Sequence, residues 1–188
     1  MEEAVLEAVT AFGALRAMIA NAGIGGSNQA GEEDRFDAIV QTNLSGTYYS
    51  FRAAEKHLKN KDSARQLIAI SSCLARFGVP GYTAYCASKA GILGLVRALS
   101  LELAQQNVQV NALCPGWVNT QMARDGLEEM ATGMGISYEE AYRIAMKSVP
   151  LGRMSEPEEI ASYVLWLILE GQSITGQGLD INAGSWMG

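Results

Sequence analysis

Tyr85 and Lys89 stand four residues apart in Tyr85-Cys86-Ala87-Ser88-Lys89, a spacing that puts two side chains on one face of a helix. An ammonium beside a phenol stabilises the phenolate, so the pair predicts a tyrosine pKa below the ordinary value of about 10. A tyrosine tuned in this way donates or accepts a proton near neutral pH. Ser72 lies thirteen residues upstream, just after the apolar segment Leu67–Ile70. From a strand end its hydroxyl can reach the same rim and hydrogen-bond a substrate oxygen. Each residue alone also has an ordinary reading. A Tyr–Lys pair at this spacing is common on solvated helices, Ser72 suits a turn, and Asn43 suits the exposed face of a helix.

Other chemistries find less support. His57 is the only histidine; it lies near a helix end between Lys56 and Lys59 and reads as a surface residue. Without a second His, a metal site would need Cys or carboxylate partners that no spacing suggests, so none is expected. Cys73, Cys86 and Cys114 are odd in number, and none belongs to a CxxC pair. They read as free thiols in a reducing compartment, which points to the cytoplasm.

The elements that position these residues alternate between helix and strand. Met1 to Phe12 has Val5, Ala8, Val9 and Phe12 on one helical face. Leu15 to Ala20 is an apolar run of buried-strand length, followed by a loop rich in Gly, Ser and Asn. A long helix is predicted from Glu32 to about Lys59, a strand at Leu67–Ile70, and a second long helix from Tyr82 to about Gln105. Val108 to Leu113 is a strand that stops at Pro115-Gly116. From Val118 to Lys147 the pattern weakens to a polar, Met-rich stretch with a helix at Tyr138–Lys147. Pro157 opens a helix to about Leu169 with Ser155 as its predicted N-cap, and Gly178–Asn182 is the last strand. Such alternation indicates an α/β fold with a mostly parallel sheet. Ligands in such sheets bind outside the carboxyl ends of the strands. There the loops Asn21-Ala22-Gly23, Ser71-Ser72, Pro115-Gly116 and Asn182-Ala183-Gly184 should gather.

The 188 residues suffice for one domain, 1–188, with a sizeable core, and 48% apolar against 18% charged residues is the composition of a folded protein. A net charge of -6 without a basic block disfavours nucleic acid and anionic lipid as partners. The longest apolar run, Tyr163–Leu169, is far short of the roughly twenty residues that span a membrane. The start, MEEAVLEAV, has no basic n-region.

Taken in order, Asn21-Ala22-Gly23, Asn43, Ser72, Tyr85-x-x-x-Lys89, then Pro115-Gly116-Trp117-Val118-Asn119-Thr120, and a tail with Gly152-Arg153 and Ile174-Thr175-Gly176, resemble the short-chain dehydrogenase/reductase family. The resemblance covers essentially the whole chain. It implies a Rossmann-like, doubly wound sheet and hydride transfer between NAD(H) or NADP(H) and a carbonyl or alcohol. By the same resemblance Tyr85 is the general acid/base, and Lys89 lowers its pKa and holds the nicotinamide ribose. Ser72 binds the substrate oxygen, and Asn43 holds a proton-relay water and bends its helix. The cofactor then lies along Asn21, Ala22, Gly23, Tyr85, Lys89, Pro115, Gly116, Val118 and Thr120, with Gly116 admitting it closely.

The family opens with a strand, a Gly-rich turn and a helix that hold the pyrophosphate, and this sequence starts at what resembles the third helix. About four strands are therefore expected, with on the order of 60 residues unmatched at roughly 30 per βαβ unit. Gly23-Ile24-Gly25-Gly26 is no substitute, because Asn28 stands where GxGxxG needs glycine. The sequence then predicts weak cofactor binding, no readable choice between NAD and NADP, and an open edge on the first strand. That edge would be covered by another chain, by unrecorded N-terminal residues, or by a shifted first helix. The rival reading is a truncated, non-catalytic remnant that serves as a subunit or binding partner. The resemblance also implies a homo-oligomer, dimer or tetramer, built on the two long helices, which carry apolar residues on more than one face, for example Tyr48, Tyr49 and Phe51 beside Ile39 and Val40 on the first.

Overall fold

Four short segments form one parallel sheet, in the spatial order β1 (Ala17–Ala20), β2 (Arg65–Ile70), β3 (Val108–Pro115) and β4 (Gly178–Ile181). The computed structural model describes residues 1–58 and 63–188. Parallel strands covered on both faces need apolar residues at successive positions, and β2 shows why. Leu67 and Ala69 point into a cluster with Phe51, Ile92 and Val96, while Ile68 and Ile70 point the other way, towards Ile160 and Leu167. The first cluster is the layer of α3 (Gly46–Leu58) and α4 (Thr83–Leu103), the second that of α7 (Pro157–Glu170). None of the described helices is long and apolar enough to cross a membrane.

The helix predicted from Glu32 starts later and carries a π-helical turn. The Asp34 carboxylate takes the Phe36 N–H at 3.0 Å, which fixes the start of α2 (Phe36–Val40). Gln41–Ser45 then widens into a π-helical turn before α3 continues. The predicted end at Lys59 lies outside the described residues. Between β3 and α6 (Tyr138–Lys147) the sequence showed no clear period, yet α5 (Gln121–Met134) forms there, with Thr120 as its N-cap. Its buried stripe of Ala123, Leu127 and Ala131 is too small-sided to stand out as an apolar face.

Ser155 does not cap α7. It lies in a parallel bridge with Val118, its N–H donating to the Trp117 carbonyl at 2.9 Å. Glu156 takes the cap position, and its N–H donates to the Glu159 carboxylate at 2.7 Å. β1 forms one edge of the sheet, and Ile19 on it is 37% exposed. α1 (Glu2–Phe12) packs against α3, where Lys56 reaches Glu2. Of the predicted face, Val5 is buried by that packing, Val9 is half-buried and Phe12 is exposed.

Candidate active site

The carboxyl ends of β1, β2 and β3 deliver three loops to the start of α4. Asn43 holds the first loop in place from the π-helical turn. Its Oδ1 accepts the Ile24 N–H at 2.8 Å, and its Nδ2 donates to the Ile24 carbonyl at 3.0 Å and to Ser88 Oγ at 3.1 Å. Asn43 is buried, so the exposed-helix reading fails. A π-turn re-aims side chains that a regular helix would direct elsewhere, and such turns are frequent at functional sites. This one lets Asn43 reach both the Asn21-Ala22-Gly23 loop and α4.

Lys89 comes up beside it. A Cβ at Gly23 would lie 3.2 Å from Asn43 Oδ1 and 3.6 Å from Lys89 Nζ, so the loop backbone sits directly against the ammonium. The ammonium donates to the Ile70 carbonyl at 2.8 Å, and the Lys89 carbonyl accepts from Ser71 Oγ at 2.9 Å. Burial drives the Lys89 pKa down to about 8. Its Nζ is 5.5 Å from the centre of the Tyr85 ring.

Tyr85 differs from its expectation. Burial pushes its phenol up to about 12, although the residue is only half-buried, and the neighbouring Ser72 hydroxyl opposes the rise. Desolvation of the phenolate sets the direction of the shift, and Lys89 is not among the groups that offset it. The Ser72 hydroxyl also accepts the Leu74 N–H at 3.1 Å, which opens a short 3-10 turn, Cys73–Ala75. Ser72, Tyr85 and Lys89 thus meet in one place, with Asn43 and Gly23 behind Lys89. Cys73 and Cys114 are buried, and burial raises both thiols, Cys73 to about 11. They are core thiols rather than nucleophiles.

Gly116 has a different neighbour from the one expected. A Cβ there would lie 2.9 Å from the Asn182 carbonyl oxygen and 3.0 Å from its Cα. The close approach is made by the chain's own backbone, where β3 and β4 end. Gly116→Ala is expected to cost about 1–3 kcal/mol, the range for overpacking, because backbone cannot swing aside as a side chain can. Urea unfolding without any ligand measures it; an unchanged midpoint would contradict the steric account. Val118 and Thr120 follow on the same rim, Thr120 Oγ1 accepting the Ala123 N–H at 3.4 Å as the cap of α5.

Two contributors went unseen in the sequence. Asn28 Oδ1 accepts from Thr83 Oγ1 at 3.0 Å and from the Ala84 N–H at 2.9 Å, so the first loop caps α4. An Asn 56 residues from the helix it caps carries no local signal. Arg76, just beyond Ser72, reaches Asp180 at 3.1 Å and lies 4.9 Å over the Trp186 ring, tying the Ser72 segment to β4 and the C-terminal residues.

A parallel sheet with helices on both faces, with Ser72, Tyr85 and Lys89 at its carboxyl rim, defines a Rossmann-like α/β architecture. A family model described as enoyl-(acyl carrier protein) reductase matches residues 1–185. The 3-oxoacyl-[acyl-carrier-protein] reductase of Thermotoga maritima is 32% identical, over 98% of this chain and 71% of its own length. A putative ketoacyl reductase of Streptomyces coelicolor is 34% identical, over 98% of this chain and 72% of its own. Among solved structures, actinorhodin polyketide ketoreductase with NADPH superposes with a TM-score of 0.90 at 33% identity, covering 98% of this chain and 72% of that one. Sorbitol-6-phosphate 2-dehydrogenase of Erwinia amylovora superposes with a TM-score of 0.92 at 25% identity, covering 100% of this chain and 75% of that one. The chain belongs to the short-chain dehydrogenase/reductase family, a family of oxidoreductases.

Proposed function

We propose that this protein is a nicotinamide-dependent carbonyl reductase or alcohol dehydrogenase, with Tyr85 as its general acid/base. The observation that carries the reading is the gathering of Ser72 and Tyr85 beside Lys89, against a loop whose Gly23 packs closely on Asn43 and Lys89. The donor set fits the cofactor. An ammonium has three N–H donors; the Ile70 carbonyl takes one, and two remain for the vicinal hydroxyls of a ribose. Asn21, Ala22, Gly23, Tyr85, Lys89, Pro115, Gly116, Val118 and Thr120 would hold it. When bound, it supplies or accepts the hydride.

The chain's own residues handle the proton. Ser72 donates a hydrogen bond to the carbonyl oxygen and orients it. Tyr85 donates its phenolic proton as negative charge develops there, and Lys89 steadies the phenolate that results. The intact cluster favours this reading over that of a non-catalytic remnant. The relatives named for 3-oxoacyl groups make a 3-oxoacyl thioester the first substrate to test. Carbonyl-dependent oxidation of NADPH or NADH, followed by absorbance, tests the assignment. Turnover that needs Tyr85 is expected, and turnover that survives its removal overturns it.

The working form is a homo-oligomer built on α3 and α4. Leu44, Ser45, Tyr48, Tyr49, Gly91 and Leu95 line a shallow groove between these helices, and Tyr49 is 56% exposed. Arg52 of α3 bridges to Glu102 of α4 at 2.8 Å beside it and stacks on Tyr48. An apolar strip rimmed by such pairs suits a second copy of the chain. Light scattering should give a multiple of 20.1 kDa, and Tyr49→Glu should shift it to the monomer mass. A monomeric wild type at micromolar concentration overturns this part. The cysteines, all unpaired, fit a reducing compartment, the cytoplasm.

A further inference from the structure

α5 carries two stripes with different partners. Ala123, Leu127 and Ala131 are buried towards α6. Met122, Gly126 and Glu129, at i, i+4 and i+7, share a second face. Met122 lies on the first loop, its sulfur 3.0 Å from where a Cβ of Gly25 would be. Gly126 lies against the Trp117 ring, 3.9 Å from its would-be Cβ. At the far end, Glu129 Oε1 accepts from Ser27 Oγ, and its Oε2 accepts from the Tyr82 hydroxyl at 3.4 Å. Ser27 belongs to the loop that Asn43 holds, and Tyr82 stands at the N-terminal boundary of α4, three residues before Tyr85. The side chains of this second face therefore sit on elements of the catalytic cluster, and the only charged one among them grips two of those elements at once.

We propose that Glu129 is a positioning residue that clamps α5 over the mouth of the Ser72–Tyr85 cleft, holding Ser27 of the loop and Tyr82 of α4 with its two carboxylate oxygens. A closed helix excludes water from a proton-transfer site, and substrate must then enter by its release. Hydrogen exchange tests the clamp directly. In Glu129→Ala, amides of residues 121–134 should exchange about tenfold faster, the effect of losing a charge-assisted hydrogen bond in a local opening, while those of β2 and β3 stay as in wild type. Glu129→Gln keeps one accepting oxygen and should restore at least half of the protection. The second readout rests on the proposed reductase activity: KM for the carbonyl substrate should rise about three- to tenfold in Glu129→Ala, with kcat within about twofold. Wild-type exchange in Glu129→Ala, equal acceleration in the sheet, or a Gln variant as open as the Ala variant each overturns the clamp. If no variant turns over, the reductase reading has failed instead, and the exchange data still decide the clamp.

Discussion

Tyr85→Phe is expected to remove nearly all carbonyl reduction, a fall of about 10²–10⁴-fold in kcat, the usual contribution of a positioned acid/base. The substitution deletes one oxygen and leaves the ring, so the packing that half-buries it survives. Ser72 loses the phenol beside it but keeps the Leu74 N–H, which holds its rotamer. KM should therefore change little while kcat falls, the signature of an interaction made in the transition state. The raised phenol pKa sharpens the expectation. At about 12, Tyr85 is fully protonated at neutral pH and is poised to donate rather than to accept. The reductive direction should thus hold its rate across neutral pH, and oxidation of the alcohol should gain as pH rises. A Phe variant that retains a tenth or more of wild-type kcat would show that another group supplies the proton.

Asn43→Ala should have the largest effect on stability. The side chain satisfies both backbone groups of Ile24 and meets Ser88 in a buried place. Truncation leaves the Ile24 N–H and carbonyl without partners, at about 1–3 kcal/mol each. For a chain of this size that corresponds to a fall in Tm on the order of 5–15 °C. The loop should also loosen, so exchange at residues 21–26 should rise before the sheet unfolds. Asn43→Asp separates geometry from size: it accepts from Ile24 N–H but, ionised, cannot donate to the Ile24 carbonyl or to Ser88. It should fall between the two. Calorimetry that finds Asn43→Ala as stable as wild type would mean that the loop holds itself.

Strand and helix identity was legible because periodicity is local. Leu67–Ile70, Val108–Leu113 and Tyr138–Lys147 appear in the structure within two residues of where the sequence places them. The ordered set of Asn21-Ala22-Gly23, Asn43, Ser72, Tyr85 and Lys89 was enough to place the family, because parallel strands deliver their ends to one rim. What the sequence could not determine depends on partners distant along the chain. The π-turn at Gln41–Ser45 exists because Asn43 must reach a loop 19 residues away, and no propensity encodes that. Gly116 was read as making room for a ligand, and only the register of β3 against β4 shows Asn182 in that room. Spacing put Lys89 beside Tyr85 but could not show that desolvation would set both pKa shifts, since burial is a property of the packed molecule. The clamp at Glu129 joins three segments, 27, 82 and 129, that meet only when the sheet has brought their elements together.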